Sequence, residues 1–373
     1  MKTESAKLNS ERNYGIDLLR ILCMFLIVAL HITRQGGVMD MTVNDNLKYG
    51  FCYTFFVFCY PAVDCFALIS GYVGLGGRHR FSTLAVMWLR VWFISTGTGV
   101  LFFIFRPDVM NMDYMVRCLL PVFECIYWYV TAYFALFVFM PLLDAAILNM
   151  EPRRLVTMVG AMLMLFSVIS TFVNIVMPDR ISFDPFDLGD GYTALWLIIL
   201  YIVGAAMRRL EPFARLSTKK VVVLYMLSMV SCCICVSLLK LFSKALMGTD
   251  SHAGYIVNYM SPPILFSAAL LLEMFKRLRF GDGLARVIHF LSPLTFSVYL
   301  IHSHPLTINY AFKERFAGLA ALPAPLVVPA IIIATLVLFV VCCAIDFLRH
   351  RLFVALKLRQ RLEKLIDARL DPQ

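Results

Sequence analysis

Apolar residues run almost without interruption through ten stretches of this chain, at 16–35, 51–74, 84–105, 126–148, 155–177, 192–208, 221–247, 255–275, 286–310 and 325–348. A helix needs roughly 17–25 apolar residues to cross about 30 Å of hydrocarbon, and every stretch meets that length. The stretches are continuous, without the in-and-out alternation of outer-membrane strands, so helices are predicted rather than a barrel. The pattern predicts an all-α, polytopic membrane protein with about ten transmembrane helices. Composition agrees: 61% of the 373 residues are hydrophobic and 16% are charged, and mean hydropathy is +0.79, far from a soluble globular chain.

Charge orients the spans. The net charge of +10 is concentrated in alternate loops: Arg78 and Arg80; Arg153 and Arg154; Arg208, Arg209, Arg215, Lys219 and Lys220; Lys276, Arg277, Arg279 and Arg286; then the tail from Arg349. The opposite loops are neutral or acidic, most clearly at Asp179, Asp184, Asp187 and Asp190. This positive-inside distribution predicts cytoplasmic termini and excludes nucleic acid as a partner. It divides the chain into a cytoplasmic segment at 1–15, a membrane domain at 16–348 and a basic cytoplasmic tail at 349–373. In the tail, Leu352, Leu356, Leu362 and Leu365 among basic residues predict an amphipathic helix on the anionic inner membrane surface.

Lys7 and Arg12 ahead of the first span give it the look of a secretory signal, but Arg20 within it and the absence of a small-residue cleavage site predict a retained helix. Most of the eleven cysteines, including Cys23, Cys232, Cys233, Cys235, Cys342 and Cys343, lie inside apolar spans and read as small core residues. No metal cluster with a CxxC pair emerges, so no metal is expected, and no bound cofactor is expected either. The two halves show no internal repeat of the kind common in secondary transporters.

Within the first span a polar stripe interrupts the apolar pattern. The eleven residues from Arg20 to His31 turn through about 1100°, three turns plus about 20°, and rise about 16 Å, so both side chains point the same way. Asp17 and Arg34 fall within about 60° of that line. Ionisable groups at membrane depth cost a few kcal/mol each unless they face protein or a wet cavity, so the stripe predicts a lined cavity. An imidazole there can take a proton from an alcohol, which makes His31 a candidate catalytic base. Arg20, near the cytoplasmic end, is a candidate phosphate ligand through its guanidinium fork.

Further polar positions follow. Asp64 is a carboxylate inside the second apolar span, just after Pro61, which is expected to kink it. Such a group must be paired, protonated or wet, and Asp64 is a candidate catalytic partner for His31. Ser70 lies near the end of that span, and the loop Gly71 to Arg80 follows it, with Arg78 and Arg80 beside several glycines that can turn amides toward phosphate. Arg90 sits between Trp88 and Trp92 in the third span. Glu124, Trp128 and Tyr129 open the fourth, where rings can stack on a sugar and a carboxylate can bond its hydroxyls. In the ninth span Tyr299 and His302, three residues apart, share a helix face.

Taken together these residues resemble the acyltransferase 3 family of bacterial membrane O-acyltransferases over most of the chain. The likeness rests on the first-span Arg-x10-His, here Arg20 to His31, and on the second-span segment from Asp64 to Tyr72, similar to Asp-x-Phe-Phe-x-Ile-Ser-Gly-Tyr/Phe. It continues with Trp128-Tyr129-Val130 in the fourth span and Tyr299-Leu300-Ile301-His302 in the ninth. The resemblance implies transfer of an acyl group, usually acetyl from acetyl-CoA, to a hydroxyl of a cell-surface glycan or related acceptor in the bacterial inner membrane. It implies His31 as the catalytic histidine and Arg20 as a donor ligand or a support for that histidine. Two departures stand out: Met87 precedes Arg90 where many members carry Arg-x-x-Arg, and Phe66-Ala67 replaces Phe-Phe. Some members append an extracytoplasmic hydrolase-like domain, for which these segments leave no room.

The sequence thus predicts an acyl-CoA-dependent O-acyltransferase with His31 as general base or acyl carrier and Asp64 as its catalytic partner. Arg20, Ser70, Arg78, Arg80, Arg90, Glu124, Trp128, Tyr299 and His302 are its candidate substrate-binding residues. Expected partners are acyl-CoA, a surface glycan or lipid-linked saccharide, and membrane lipid; a homo-oligomer is compatible with the pattern. The rival reading is a transporter or flippase for lipid-linked sugars or a small acid, which accounts equally well for ten spans with buried charge but does not require the Arg20–His31 spacing.

Overall fold

A computed structural model describes residues 12–176, 186–247 and 253–370. Lys7, Asp179 and Asp184 lie outside the described residues. The chain is 82% helix, and among the described residues there is no strand and eight helices are long and apolar enough to cross a membrane. The predicted sixth and eighth spans are also helices, of 17 and 15 residues.

The helices are α1 (Tyr14–Arg34), α2 (Asn46–Cys59), α3 (Pro61–Gly74), α4 (Phe81–Phe105), α5 (Trp128–Asn149), α6 (Pro152–Val176), α7 (Ala194–Leu210), α8 (Thr218–Met247), α9 (Pro262–Lys276), α10 (Asp282–Leu291), α11 (Thr295–His302), α12 (Ala324–Ala355) and α13 (Leu358–Leu370). The second predicted span divides into α2 and α3 at Tyr60 because Pro61 has no N–H to continue the helical ladder. The ninth is interrupted twice for the same reason, at Pro293 between α10 and α11 and at Pro305 just after α11. The last span runs on to Ala355, beyond the predicted 348.

The chain forms two compact units. The first comprises Met1–Cys23, Val57–Arg78 and Val138–His289. Its centre is the pairing of α3 with α7, flanked by α9. These helices approach closely because glycines meet backbone: a Cβ on Gly71 would collide with the Tyr201 carbonyl oxygen, and one on Gly204 with that of Leu68. Beneath this contact Asp144 accepts hydrogen bonds from the Tyr201 hydroxyl at 2.6 Å and from the Gly76 amide at 2.9 Å. The start of α1 docks on the end of α9, where Asn13 Nδ2 donates to the Lys276 carbonyl at 2.8 Å.

The second unit comprises Met24–Phe56, His79–Phe137 and Phe290–Gln373. In it α4 packs against α11, α13 and the short helix Met112–Leu119, while α11 packs on α12. The tail reading therefore changes in detail: Arg349 lies in α12, buried, and grips Asp346 through two bonds of 2.5 and 3.2 Å. Removing one partner strands a buried charge, so Asp346→Ala should lower stability by about 3–5 kcal/mol, whereas the apolar pair Asp346→Leu with Arg349→Met should recover most of that loss. Thermal unfolding in detergent reads both variants.

Candidate active site

The central observation lies in the second unit. His31, on the last turn of α1, and His302, the final residue of α11, meet with His31 Nδ1 3.0 Å from His302 Nε2. The other nitrogen of His302 is 2.5 Å from the Val298 carbonyl oxygen, one turn back along α11. A carbonyl only accepts, so His302 Nδ1 carries the proton and, with the ring neutral, its Nε2 is a bare lone pair. His31 must then donate from Nδ1, which leaves His31 Nε2 as the unprotonated nitrogen. Ser303 Oγ, 3.2 Å from His302 Nε2, is a second donor to the same lone pair. A main-chain carbonyl thus fixes one ring and, through it, the tautomer of the next.

α11 ends where this is needed. Ser303 donates its amide to the Tyr299 carbonyl, and the chain turns before Pro305, so His302 sits at the helix terminus. Tyr127 ties the same element down by donating its hydroxyl to the Leu300 carbonyl at 2.8 Å, and its ring lies 5.8 Å from that of Tyr299. Val91, Ile94, Val122, Val130 and Leu300 pack around these rings as one apolar core.

His304 is built the other way round. Its Nδ1 accepts from the Leu306 amide at 3.1 Å, so its Nε2 bears the proton, facing Ser95 Oγ at 3.5 Å and Cys118 Sγ at 3.9 Å. A ring that donates from Nε2 cannot serve as base toward that serine or thiol, so His304 anchors the turn after α11.

Three predicted residues are brought together here: His31, His302 and Tyr299, whose ring is 6.4 Å from that of His302. Arg90 is on α4 in the same unit; it donates to the Pro293 carbonyl at 3.1 Å and stands 5.8 Å from the Phe296 ring. It feels the charges of Arg349 and Asp346, and its Nε is buried with no hydrogen-bond partner among the described residues. Two guanidinium groups beside one carboxylate leave an uncompensated positive charge, and an orphaned donor calls for an explanation. Arg80 is exposed and lies 3.8 Å from Asp367 of α13. Glu124 precedes α5 in an exposed turn, 3.9 Å from Arg117, and Trp128 begins the helix with its ring against Tyr129.

The remaining predicted residues lie in the first unit. Asp17, only 3% exposed, accepts from Arg12 at 2.6 Å and from Arg20 at 2.7 Å, so one carboxylate serves two cations. Asp64 is fully buried and accepts from Trp196 Nε1 at 3.3 Å, while its Oδ2 has no partner among the described residues. Ser70 donates to the Phe66 carbonyl of its own helix. The glycine loop engages its amides internally, Gly76 to Asp144 and Gly77 to the Gly74 carbonyl, so what it presents outward is the exposed Arg78 side chain. Arg34 of the polar stripe, which belongs to the second unit, is exposed and pairs with Asp40.

Residues that sequence reasoning missed are Val298, Tyr127, Ser303 and Arg349. Val298 acts through its carbonyl, which no side-chain pattern reveals. Arg349 follows Asp346 by three residues, the spacing of a pair on one helix face, and that spacing was the available signal.

Apolar helices long enough to cross a membrane define a multi-pass membrane protein, and in its second unit a half-buried His31 meets the buried His302. The profile of the acyltransferase 3 family, an acyltransferase domain, matches residues 13–344, and the chain belongs to this family of membrane acyltransferases. Neither the curated proteins nor the solved structures contain a match to it.

Proposed function

We propose that the protein is an acyl-CoA-dependent O-acyltransferase of the bacterial inner membrane, with both termini cytoplasmic, that acylates a hydroxyl of a cell-surface glycan or lipid-linked saccharide. The observation that carries this reading is the His31–His302–Val298 relay, which leaves His31 Nε2 as a lone pair. In the reaction the acceptor O–H gives its proton to His31 Nε2 as the oxygen attacks the thioester carbonyl. The tetrahedral intermediate then expels the CoA sulfur, which takes the proton from His31, leaving an ester and free CoA. The imidazolium formed in between is held by its Nδ1–H bond to His302. The donor phosphates are assigned to Arg90 and Arg349, where the spare positive charge and the orphaned Nε await an anion.

The relay makes a specific demand on His302. His302→Leu removes the acceptor for His31 Nδ1–H, and a buried donor left unsatisfied costs about 1–3 kcal/mol, or roughly 5- to 150-fold in rate. His302→Gln, which can place an amide oxygen near the position of Nε2, should recover part of the loss. The turnover number should fall more than the KM for acyl-CoA, because the change touches the base and not the donor site.

The activity itself is tested by incubating purified protein with radiolabelled acetyl-CoA and membrane glycan extract, following CoA release and label on the glycan. Label transfer is the expected result. Absence of turnover with both acetyl-CoA and succinyl-CoA, together with saccharide flux in proteoliposomes, would replace this reading with transport.

A further inference from the structure

A cavity of about 340 Å³ opens in the first unit, lined by Tyr60, Asp190, Tyr192, Gly254, Tyr255, Val257 and Asn258. We propose that it is a saccharide subsite, in which Asp190 and Asn258 engage a pair of sugar hydroxyls and the tyrosines take the apolar face of the ring. The inference rests on the acyl-transfer reading only for its purpose, which is to hold the sugar acceptor.

The cavity is built rather than left over. Asn258 is pinned at both ends of its amide: Oδ1 accepts from the Met260 amide and Nδ2 donates to Asp190 Oδ1, each at 2.8 Å. The carboxylate is thereby oriented, with one oxygen engaged by the amide. The loop that carries it is unusual in its backbone: Asp187, Gly189, Asp190 and Gly191 all have positive φ, at 49°, 49°, 56° and 91°. Side-chain-bearing residues adopt this region rarely, and such outliers gather where a group must be presented to a ligand.

Gly191 has a second reason to be glycine, since a Cβ there would sit 2.7 Å from the Tyr259 Cβ and 3.1 Å from Trp196 Cδ1. The loop therefore rests on an aromatic floor. The Tyr259 ring lies near those of Tyr60 and Tyr192, with centroids 4.9 and 5.1 Å away and the planes tilted by 35° and 57°, and Trp196 donates to Asp64. This gives Asp64 a positioning role: it fixes the indole against which the Asp190 loop is laid.

The lining selects the ligand. With no lysine or arginine among the described residues of the wall and a carboxylate among them, a phosphate or carboxylate ligand is disfavoured. Oriented oxygen and amide groups beside aromatic rings suit a neutral polyhydroxyl ring, and the volume lies at the small end of the roughly 300–1,000 Å³ typical of ligand pockets, enough for a monosaccharide unit.

The test uses the full chain in a detergent without a sugar head group, with methyl β-glucoside and methyl β-galactoside as probes in ligand-observed NMR. The expected result is millimolar binding that weakens at least tenfold in Asp190→Ala and in Gly254→Phe. The second variant fills the cavity from a position where a Cβ meets nothing within 4 Å, so it blocks without removing a bond. Binding that survives Gly254→Phe, or a wild-type protein that takes choline but neither glycoside, overturns the subsite. Octyl β-glucoside competing better than methyl β-glucoside assigns a lipid-borne sugar; equal competition assigns a free glycan. Acyl-CoA turnover measured in parallel separates the two readings. Turnover without glycoside binding removes the subsite alone, and glycoside binding without turnover removes acyl transfer alone.

Discussion

His31→Ala should abolish transfer of label from acyl-CoA to glycan, lowering the turnover number by about 10²- to 10⁴-fold, the usual contribution of a positioned general base. The size follows from what the ring does at Nε2. In the proposed reaction the acceptor hydroxyl would keep its proton without that ring, and the expelled sulfur would have no adjacent donor. Folding should survive, because His31 is only partly buried and the one described hydrogen bond of its ring is to His302. A variant that elutes as the wild type does on size exclusion and still transfers label at the wild-type rate would remove His31 from the chemistry. Trapping of labelled acyl-enzyme under single-turnover conditions, absent in His31→Ala, would instead assign the ring as an acyl carrier.

The second large effect concerns stability. Gly71→Val and Gly204→Val should each prevent α3 and α7 from closing, at a cost of about 3 kcal/mol or more, the upper end for overpacking, because the obstacle on both sides is backbone that cannot turn aside. Loss of that contact also separates Trp196 of α7 from Asp64 of α3 and strains the link that Asp144 makes between the Tyr201 hydroxyl and the Gly76 amide, all within the first unit. Gly97→Ala on α4 is the comparison: a Cβ there meets nothing within 4 Å, so the change should be neutral or stabilise by up to about 1 kcal/mol. Residual monodisperse protein after heating in detergent, measured by size exclusion, ranks the three. Equal ranking would show that the glycine contact does not limit stability.

What the sequence revealed follows the reach of helical periodicity. The alignment of Arg20 with His31 is legible because both lie on one helix, and 100° per residue settles their relation. The breaks at Pro61, Pro293 and Pro305 are equally local. The partner of His31 is not legible, since His302 lies 271 residues away and only the docking of α11 brings it near. Asp64 was recognisable as a buried carboxylate in need of company, but Trp196, its donor, looks like any aromatic residue in an apolar run. Arg349 was read with the basic tail because charge counting ignores burial; Asp346 within its own helix is what draws it inside. The Asp190 loop registered only as acidity, because left-handed backbone at Asp187 and Asp190 leaves no signature in hydropathy.

The bond from His302 to the Val298 carbonyl has an evolutionary consequence. Every amino acid supplies a carbonyl, so what limits substitution at position 298 is the buried packing of Val298 and not the instruction it gives to the imidazole pair. Keeping that tautomer then takes two histidines and the helical turn between 298 and 302, a small target for selection. In the proposed reaction, acceptor preference can diversify in other parts of the chain without disturbing the base.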